Sequence, residues 1–486
     1  MTCPLSWKTV KAFNVAAGIA AGHPATASVG LEILAAGGSA ADAAVAAVLA
    51  SCVSESIYTG ISGGGFATYF DAATRTVTGL DFFCTIPGLD GDVTPGPMID
   101  IDVLFGAVPV PYAIGEASVA VPGVPAGCGE LHRRWGRLPW HRVVAPAIDL
   151  ARSGVAMPAA QADSLVTVAP ALLPGVGASI YARNGKLLEG GDLLHHPGLD
   201  TALTIFAEEG PASFYTGRVG RLLVDTVRAG GGAIGPRDLA EYRVLPVPVE
   251  QAALGGFRAC ARHDLSGTIA TIGALPAALA DLAPGTRAVA LARAILAVGP
   301  QRVGDTTNVS VVDADANACV VTTTLGIGAG VWLPDLGVHL NSMLGEGELI
   351  TDHPGPGDRM ASNMCPLVVI DADGGLALAA GSAGASRIRT ALVHTLVNIL
   401  LDGDDLATAI DRPRFHPVGD ATGAGPVAHV EPGYPPDQVA ALASAGFAIN
   451  RWERPSPYFG GVSAVGRAQA AGDHRRGGVG LLLHGP

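Results

Sequence analysis

Charge is scarce in this sequence, and positive charge scarcer still. Of 486 residues only 15% are charged, and 30 basic residues stand against 43 acidic ones, a net charge of −13. Binding to nucleic acid or to an anionic membrane surface needs a basic footprint, and none is present, so neither is expected as a partner. Long apolar runs are also missing. No stretch reaches the roughly 18 uninterrupted apolar residues that a membrane-spanning helix needs. The start, Met1 to Lys11, lacks the charged lead, apolar middle and cleavage site of a secretory signal, so a cytoplasmic location is expected. The cysteines (Cys3, Cys52, Cys84, Cys128, Cys260, Cys319 and Cys365) are odd in number and have no C-x-x-C spacing. That fits buried, reduced thiols better than a disulfide frame. No His-Glu-x-x-His occurs, and His195-His196 runs into Pro-Gly as a loop would, so no metal or other cofactor is expected.

What the chain does have is core material, with 49% hydrophobic residues. Its length allows two to four domains or one large layered unit. Strands and helices alternate throughout, which favours a single α/β sandwich with sheets inside and helices outside. The reading along the chain begins with a strand at 13–20. Helices follow over 24–36, started by Pro24 and ended by Gly37-Gly38, and over 40–53, apolar on nearly all faces. Strands are expected at 67–70 and 76–83, loop over 87–113, and another strand ending at 119–123. Helices are expected at 124–135, 140–152, 199–209 and 218–229. A strand-like segment covers 244–252, and short helices broken by Pro276, Pro284 and Pro300 cover 262–302. Further on come a short strand at 337–341, a hairpin at 367–372 and 376–380, and a helix at 388–401.

The centre of the pattern is the stretch from Gly304 to Gly330. Val309 to Val312 and Ala318 to Leu325 read as strands joined by turn chemistry at Asp313 to Asn317. This hairpin gathers Thr306, Thr307 and Thr322 to Thr324 at its open end. Threonine is also simply a good strand former, so periodicity alone leaves plain sheet as the alternative. Gly60-Ile-Ser-Gly-Gly64 fits the G-x-S-x-G elbow. The expected order of helix, then glycines, then strand is the reverse of what an elbow needs, and Ser62 is read as structural.

Blocks that lie in one order along the chain resemble the gamma-glutamyltransferase (gamma-glutamyl transpeptidase) family of N-terminal-nucleophile hydrolases. They include Gly37-Gly-Ser-Ala-Ala-Asp-Ala-Ala, Gly60 to Phe66, Val119 to Ala126, Glu209 to Gly217 and the hairpin at Asp305. Gly381 to Ile388, Asp411 to His416, Phe459-Gly-Gly and Asp473 to Gly478 complete the series. The resemblance implies a four-layered αββα fold and self-cleavage between Asp305 and Thr306. Residues 1–305 would form a large subunit and 306–486 a small one, with a higher oligomer also open. It also implies a mechanism. Cleavage frees the α-amino group of Thr306, with a reference pKa near 8, and this can take the proton from the threonine's own hydroxyl. Thr324 would orient that hydroxyl, and the backbone N–H groups of Gly384 and Ala385 would form the oxyanion hole.

The same resemblance points away from the family's usual substrate. Where an Arg grips the glutamyl α-carboxylate, this chain has Phe83, and an apolar ring cannot replace a planar bidentate cation. The positions matching the amino-group ligands are Gly326, Met343 and Glu346. Ser362 and Asn363 match the serine pair that assists carboxylate binding, and Asn308 stands where the family has His. The small-molecule substrate expected is a non-glutamyl acyl or keto compound from a natural-product (antibiotic biosynthesis) pathway. One such reaction is C–C bond hydrolysis in alkylproline-precursor formation. The alternative is a gamma-glutamyl hydrolase or transferase acting on glutathione-like compounds.

Overall fold

The computed structural model describes residues 16–105, 108–263, 266–298, 306–350, 354–419 and 425–483. Asp305 and Cys3 therefore lie outside the described residues, as do Pro300 and the start of the expected first strand. Thirteen strands build the two main sheets. They are β1 (Gly18–Ala21), β2 (Gly64–Asp71), β3 (Thr76–Phe82), β4 (Leu245–Val247), β5 (Val249–Leu254), β6 (Phe257–Arg262), β7 (Thr307–Val312), β8 (Ala318–Thr324), β9 (Leu367–Ile370), β10 (Leu376–Ala383), β11 (Gly461–Gly466), β12 (Gln469–Gly472) and β13 (Val479–Leu482). A seven-stranded sheet runs β4-β3-β2-β8-β7-β1-β13, and a six-stranded sheet runs β5-β6-β9-β10-β11-β12. Every neighbouring pair is antiparallel.

The sheets stack face to face, with Phe70, Val312, Val320, Val368, Ala379 and Val465 among the apolar side chains between them. Helices cover both outer faces, giving the helix–sheet–sheet–helix order. Over the first sheet lie α1 (Pro24–Ala35) and α2 (Ala40–Ser54), packed with Ile19, Val309, Val311 and Val321. Over the second lies α3 (Arg387–Val397), with Ile388, Leu392 and Leu396 against Leu378, Val462 and Ala464. Ser39 and Asp42 close a capping box at the start of α2, satisfying two of its orphan N–H groups. Every residue of α2 is buried, as its run of small apolar residues requires.

The open end of the hairpin is set by the two-residue period of a strand. In β7, Val309 and Val311 face α2 while Asn308 and Ser310 face the second sheet, where the Ser310 hydroxyl donates to the Ser463 carbonyl at 2.8 Å. Thr307 pairs with Thr323 across the hairpin, so the register carried one step further sets Thr306 opposite Thr324.

Four segments differ from the sequence reading. The stretch from 87 to 113 is not all loop, because Ile99–Phe105 and Val108–Ile114 pair as a hairpin. Val103, Tyr112 and Ile114 bury against the helix Ala159–Leu172, an element the sequence reading did not place. The strand expected at 119–123 is absent, leaving one bridge between Thr85 and Val121. The Asn341 side chain takes over there, accepting from the Ala120 N–H at 3.0 Å and donating to the Ala120 carbonyl at 2.8 Å. The 262–302 region is broken near Pro276 and Pro284 as expected, into Thr268–Gly273, Leu279–Asp281 and Pro284–Ala297, but the last, opened by Pro284, is a full 14-residue helix and not a short one. The helix from 387 stops at Val397 and continues as a single π turn, Asn398–Asp402.

Candidate active site

β10 ends at Ala383, and the chain then turns into α3 through Gly384 (φ 115°) and Ala385 (φ 52°). The left-handed region costs an alanine about 1–2 kcal/mol. Strain of this kind persists only where packing fixes the backbone. Here it turns the Gly384 N–H toward the hairpin, where it donates to the Thr306 hydroxyl at 3.0 Å. A Cβ on Gly384 would come within 2.9 Å of the Gly460 Cα, so only glycine fits. A hydroxyl that meets a backbone N–H at the turn into a helix suits attack on a carbonyl, because such a dipole can meet the negative charge that develops.

Thr306 opens onto a cavity lined by Phe83, Thr324, Glu346, Ser362, Asn363 and Ala385, with Leu349, Met364 and Ile388 completing an apolar wall. The Gly326 N–H donates to the Thr324 hydroxyl at 2.9 Å, fixing that side chain beside Thr306. Among the described residues no lysine or arginine lines this cavity. The nearby cations are turned elsewhere. Arg262 lies over the Phe66 ring, 3.8 Å from its centre, and Phe66 stacks on Phe83 at 5.3 Å. Arg262 and Arg359 both approach the Asp81 carboxylate, at 3.6 and 3.4 Å. Arg359 also donates to the Phe83 carbonyl at 2.7 Å. A cationic layer thus exists behind the aromatic wall, committed to Asp81.

On its other side Thr306 borders a second, small chamber lined by Glu55, Tyr58, Thr307, Asn308, Asp473 and Arg476. Glu55 caps the C-terminus of α2 and is 1% exposed. It accepts hydrogen bonds from the hydroxyls of Thr307 and Thr26, the latter at 2.8 Å. Burial pushes its carboxyl up to about 7, although both hydroxyls and the Arg476 charge pull the other way.

Of the site residues read from the sequence, Thr306, Thr324, Ala385, Phe83, Glu346, Ser362 and Asn363 meet around the first cavity, and Gly384 touches Thr306 directly. Asn308 faces the second chamber instead, its amide hydrogen-bonded to the hydroxyls of Thr322 at 2.7 Å and Ser310 at 3.0 Å. Gly326 (φ 70°) and Met343 do not line the first cavity. A Cβ on Gly326 would lie 2.6 Å from Glu346 Oε1, and Met343 is fully buried in the core under α3. Asp305 is outside the described residues. Ser62 is buried with its hydroxyl on the His339 carbonyl, a structural arrangement. His196 packs among Tyr181, Trp332 and Ser56, and no metal-holding cluster occurs among the described residues. No helix among them is long and apolar enough to cross a membrane. Sequence reasoning missed Glu55 and Arg476. The signal available for Glu55 was the alternation in β7, which turns Thr307 away from Thr306 toward the end of α2.

The chain is similar to known proteins over most of its length. The Gamma-glutamyltranspeptidase family pattern matches residues 26–282 and 290–482. The chain is 29% identical to an acylase ACY 1 proenzyme of Pseudomonas sp. (strain V22), covering 91% of this chain and 88% of the relative. It is 30% identical to a glutathione hydrolase proenzyme of Pseudomonas sp. (strain A14), covering 80% of this chain and 79% of the relative. A cephalosporin acylase from Bacillus halodurans shares the fold over 100% of both chains, with a TM-score of 0.78 at 21% identity. With a family match over most of its length and the fold of an N-terminal-nucleophile hydrolase, the chain belongs to the gamma-glutamyltranspeptidase family of enzymes.

Proposed function

We propose that this enzyme cleaves itself between Asp305 and Thr306, giving subunits 1–305 and 306–486. Thr306 then transfers an acyl group to water or an amine, with its freed α-amino group as base. Attack by the Thr306 hydroxyl gives a tetrahedral intermediate whose oxyanion falls to the amides of Gly384 and Ala385. Collapse expels the leaving amine and leaves an acyl-enzyme, which water or a second amine then opens. The observation that carries this reading is the contact between the Thr306 hydroxyl and the Gly384 N–H at the mouth of the Phe83 cavity. Two of the relatives quoted above, named as proenzymes, support the processing step.

The acyl group that suits the cavity has no α-carboxylate. Among the described lining residues the only charge-bearing side chain is Glu346, and Phe83, Leu349, Met364 and Ile388 give an apolar wall. A buried carboxylate without a cation costs several kcal/mol, and the neutral donors of Thr324, Ser362 and Asn363 are what this lining offers it. Gamma-glutamyl transfer, the second reading, is the one that the comparisons back better. It is supported by the glutathione hydrolases among the relatives and by Glu346, Ser362 and Asn363 around the cavity. Those relatives favour it over C–C bond hydrolysis in a natural-product pathway, which only the apolar Phe83 wall supports.

Comparing p-nitroanilides separates the readings. The 4-aminobutyryl compound keeps the amine and carbonyl of the gamma-glutamyl compound but lacks the α-carboxylate. Faster release from 4-aminobutyryl supports the carboxylate-free class, whereas a strong preference for gamma-glutamyl establishes the second reading. Thr306→Ala should remain one chain on a denaturing gel and release no chromophore. Processing or turnover in that variant would remove Thr306 from its role.

A further inference from the structure

Thr306 is the one described residue that lines both chambers, and the reaction outlined above uses only the first. The second is walled by carboxyl, guanidinium and hydroxyl groups far from one another in sequence. Its charged members are not equivalent. Asp473 is fully engaged, accepting from Arg414 at 2.8 Å, from Arg475 at 3.1 Å and from the Val462 N–H at 3.2 Å. Arg476 lies over the Tyr58 ring, 4.8 Å from its centre, and donates to the Pro457 carbonyl at 3.3 Å. The Tyr58 hydroxyl is spent on Ser164 at 2.8 Å, and the Cys52 thiol is held neutral by burial. Glu55 differs in that its carboxyl meets the hydroxyls of Thr26 and Thr307, and Thr307 is the residue bonded to the nucleophile.

We propose that Glu55 is a positioning residue for the nucleophile. Through the Thr307 hydroxyl it fixes the first residues of β7, and it supplies the anionic wall facing the α-amino group that self-cleavage frees at Thr306. This rests on the proposed role of Thr306. A carboxylate can accept from both threonines at once. A protonated carboxyl must donate one of its hydrogen bonds, so one threonine contact has to rearrange. Strand alternation explains why the contact goes through Thr307. Consecutive residues face opposite sides, so the nucleophile can point at Gly384 only while its neighbour points at the end of α2.

The test uses the processed enzyme and its best p-nitroanilide substrate. Glu55→Gln should lower kcat about 10- to 100-fold while KM stays within about twofold. The acid limb of the kcat profile should fall with a limiting slope near two in the wild type, where both Glu55 and the α-amine titrate, and near one in the variant. Thr307→Val should reproduce the kcat loss, and Thr307→Ser, which keeps the hydroxyl, should restore it. If Glu55→Gln does not fold, the Thr307 pair carries the comparison. Wild-type kcat and slope in Glu55→Gln, or in Thr307→Val, would overturn the proposal. An active Thr306→Ala variant would instead remove the reading on which it rests, so the two failures are distinct.

Discussion

The Gly384 N–H donates to the Thr306 hydroxyl at 3.0 Å, joining the turn before α3 to the open end of a hairpin 78 residues earlier. With Thr306 as the proposed nucleophile, a donor for an oxyanion is in place before any substrate arrives, so little reorganisation is needed when charge develops. Gly384→Ala tests this. The new methyl meets the Gly460 backbone and demands a φ that alanine resists, so the turn must shift. Loss of one donor predicts a fall in kcat of about 100- to 1,000-fold with little change in KM. Steady-state kinetics on processed enzyme check it, and unchanged kcat would remove Gly384 from the oxyanion hole.

Phe83→Arg places a guanidinium in the cavity wall. The gamma-glutamyl to 4-aminobutyryl rate ratio should rise at least about tenfold, the worth of a single charge-assisted hydrogen bond. If the ratio stays fixed, either the new cation is drawn onto Asp81 with Arg262 and Arg359 or Phe83 does not set acyl choice. Adding Asp81→Asn distinguishes the two.

Glu55 has a stability consequence of its own. Its carboxyl is raised from 4.5 to about 7 in the folded state, so between those values the folded chain holds a proton that the unfolded chain has lost. Stability from this group is therefore full below about pH 4.5 and declines as pH rises through about 7, by about 3 kcal/mol. The difference in unfolding free energy between wild type and Glu55→Gln should show that decline. A difference independent of pH would mean Glu55 titrates normally.

Three histidines act with the opposite sign. Burial lowers His196, His339 and His394 from 6.5 to about 3, with neighbouring positive or imidazole groups adding to the effect. Their stabilising contribution is complete above pH 6.5 and is lost as pH falls toward 3. Melting temperature should drop steeply over that range, and His339→Gln or His394→Gln should flatten part of the slope.

Much of this architecture is legible in the sequence. The small-residue run of α2 places that helix to within a residue, as Pro24 and Gly37-Gly38 do for α1. Alternation of Val309, Val311 and Val312 with turn residues at Asp313 to Asn317 places the hairpin, and the resemblance supplied the αββα layering. The misreadings have physical causes. Pro109 and Pro111 argue against a strand by local rules, yet the hairpin from 99 to 114 forms because Val103, Tyr112 and Ile114 bury under a distant helix. The 119–123 segment looks like a strand, but a side chain, Asn341, satisfies its backbone where a ladder would have done so.

By itself the sequence set Thr306 and Thr324 together at the open end of a hairpin, which follows from strand period and turn chemistry. That Phe83 matches the family's arginine position came from the resemblance and not from any local pattern. Only the tertiary structure decided what surrounds them. Glu55 reaches Thr307 across 252 residues, and Arg262 and Arg359 end on Asp81 outside the cavity. Such contacts arise because buried charges must find partners wherever the packed sheets bring them together, and no local pattern records which partner that is.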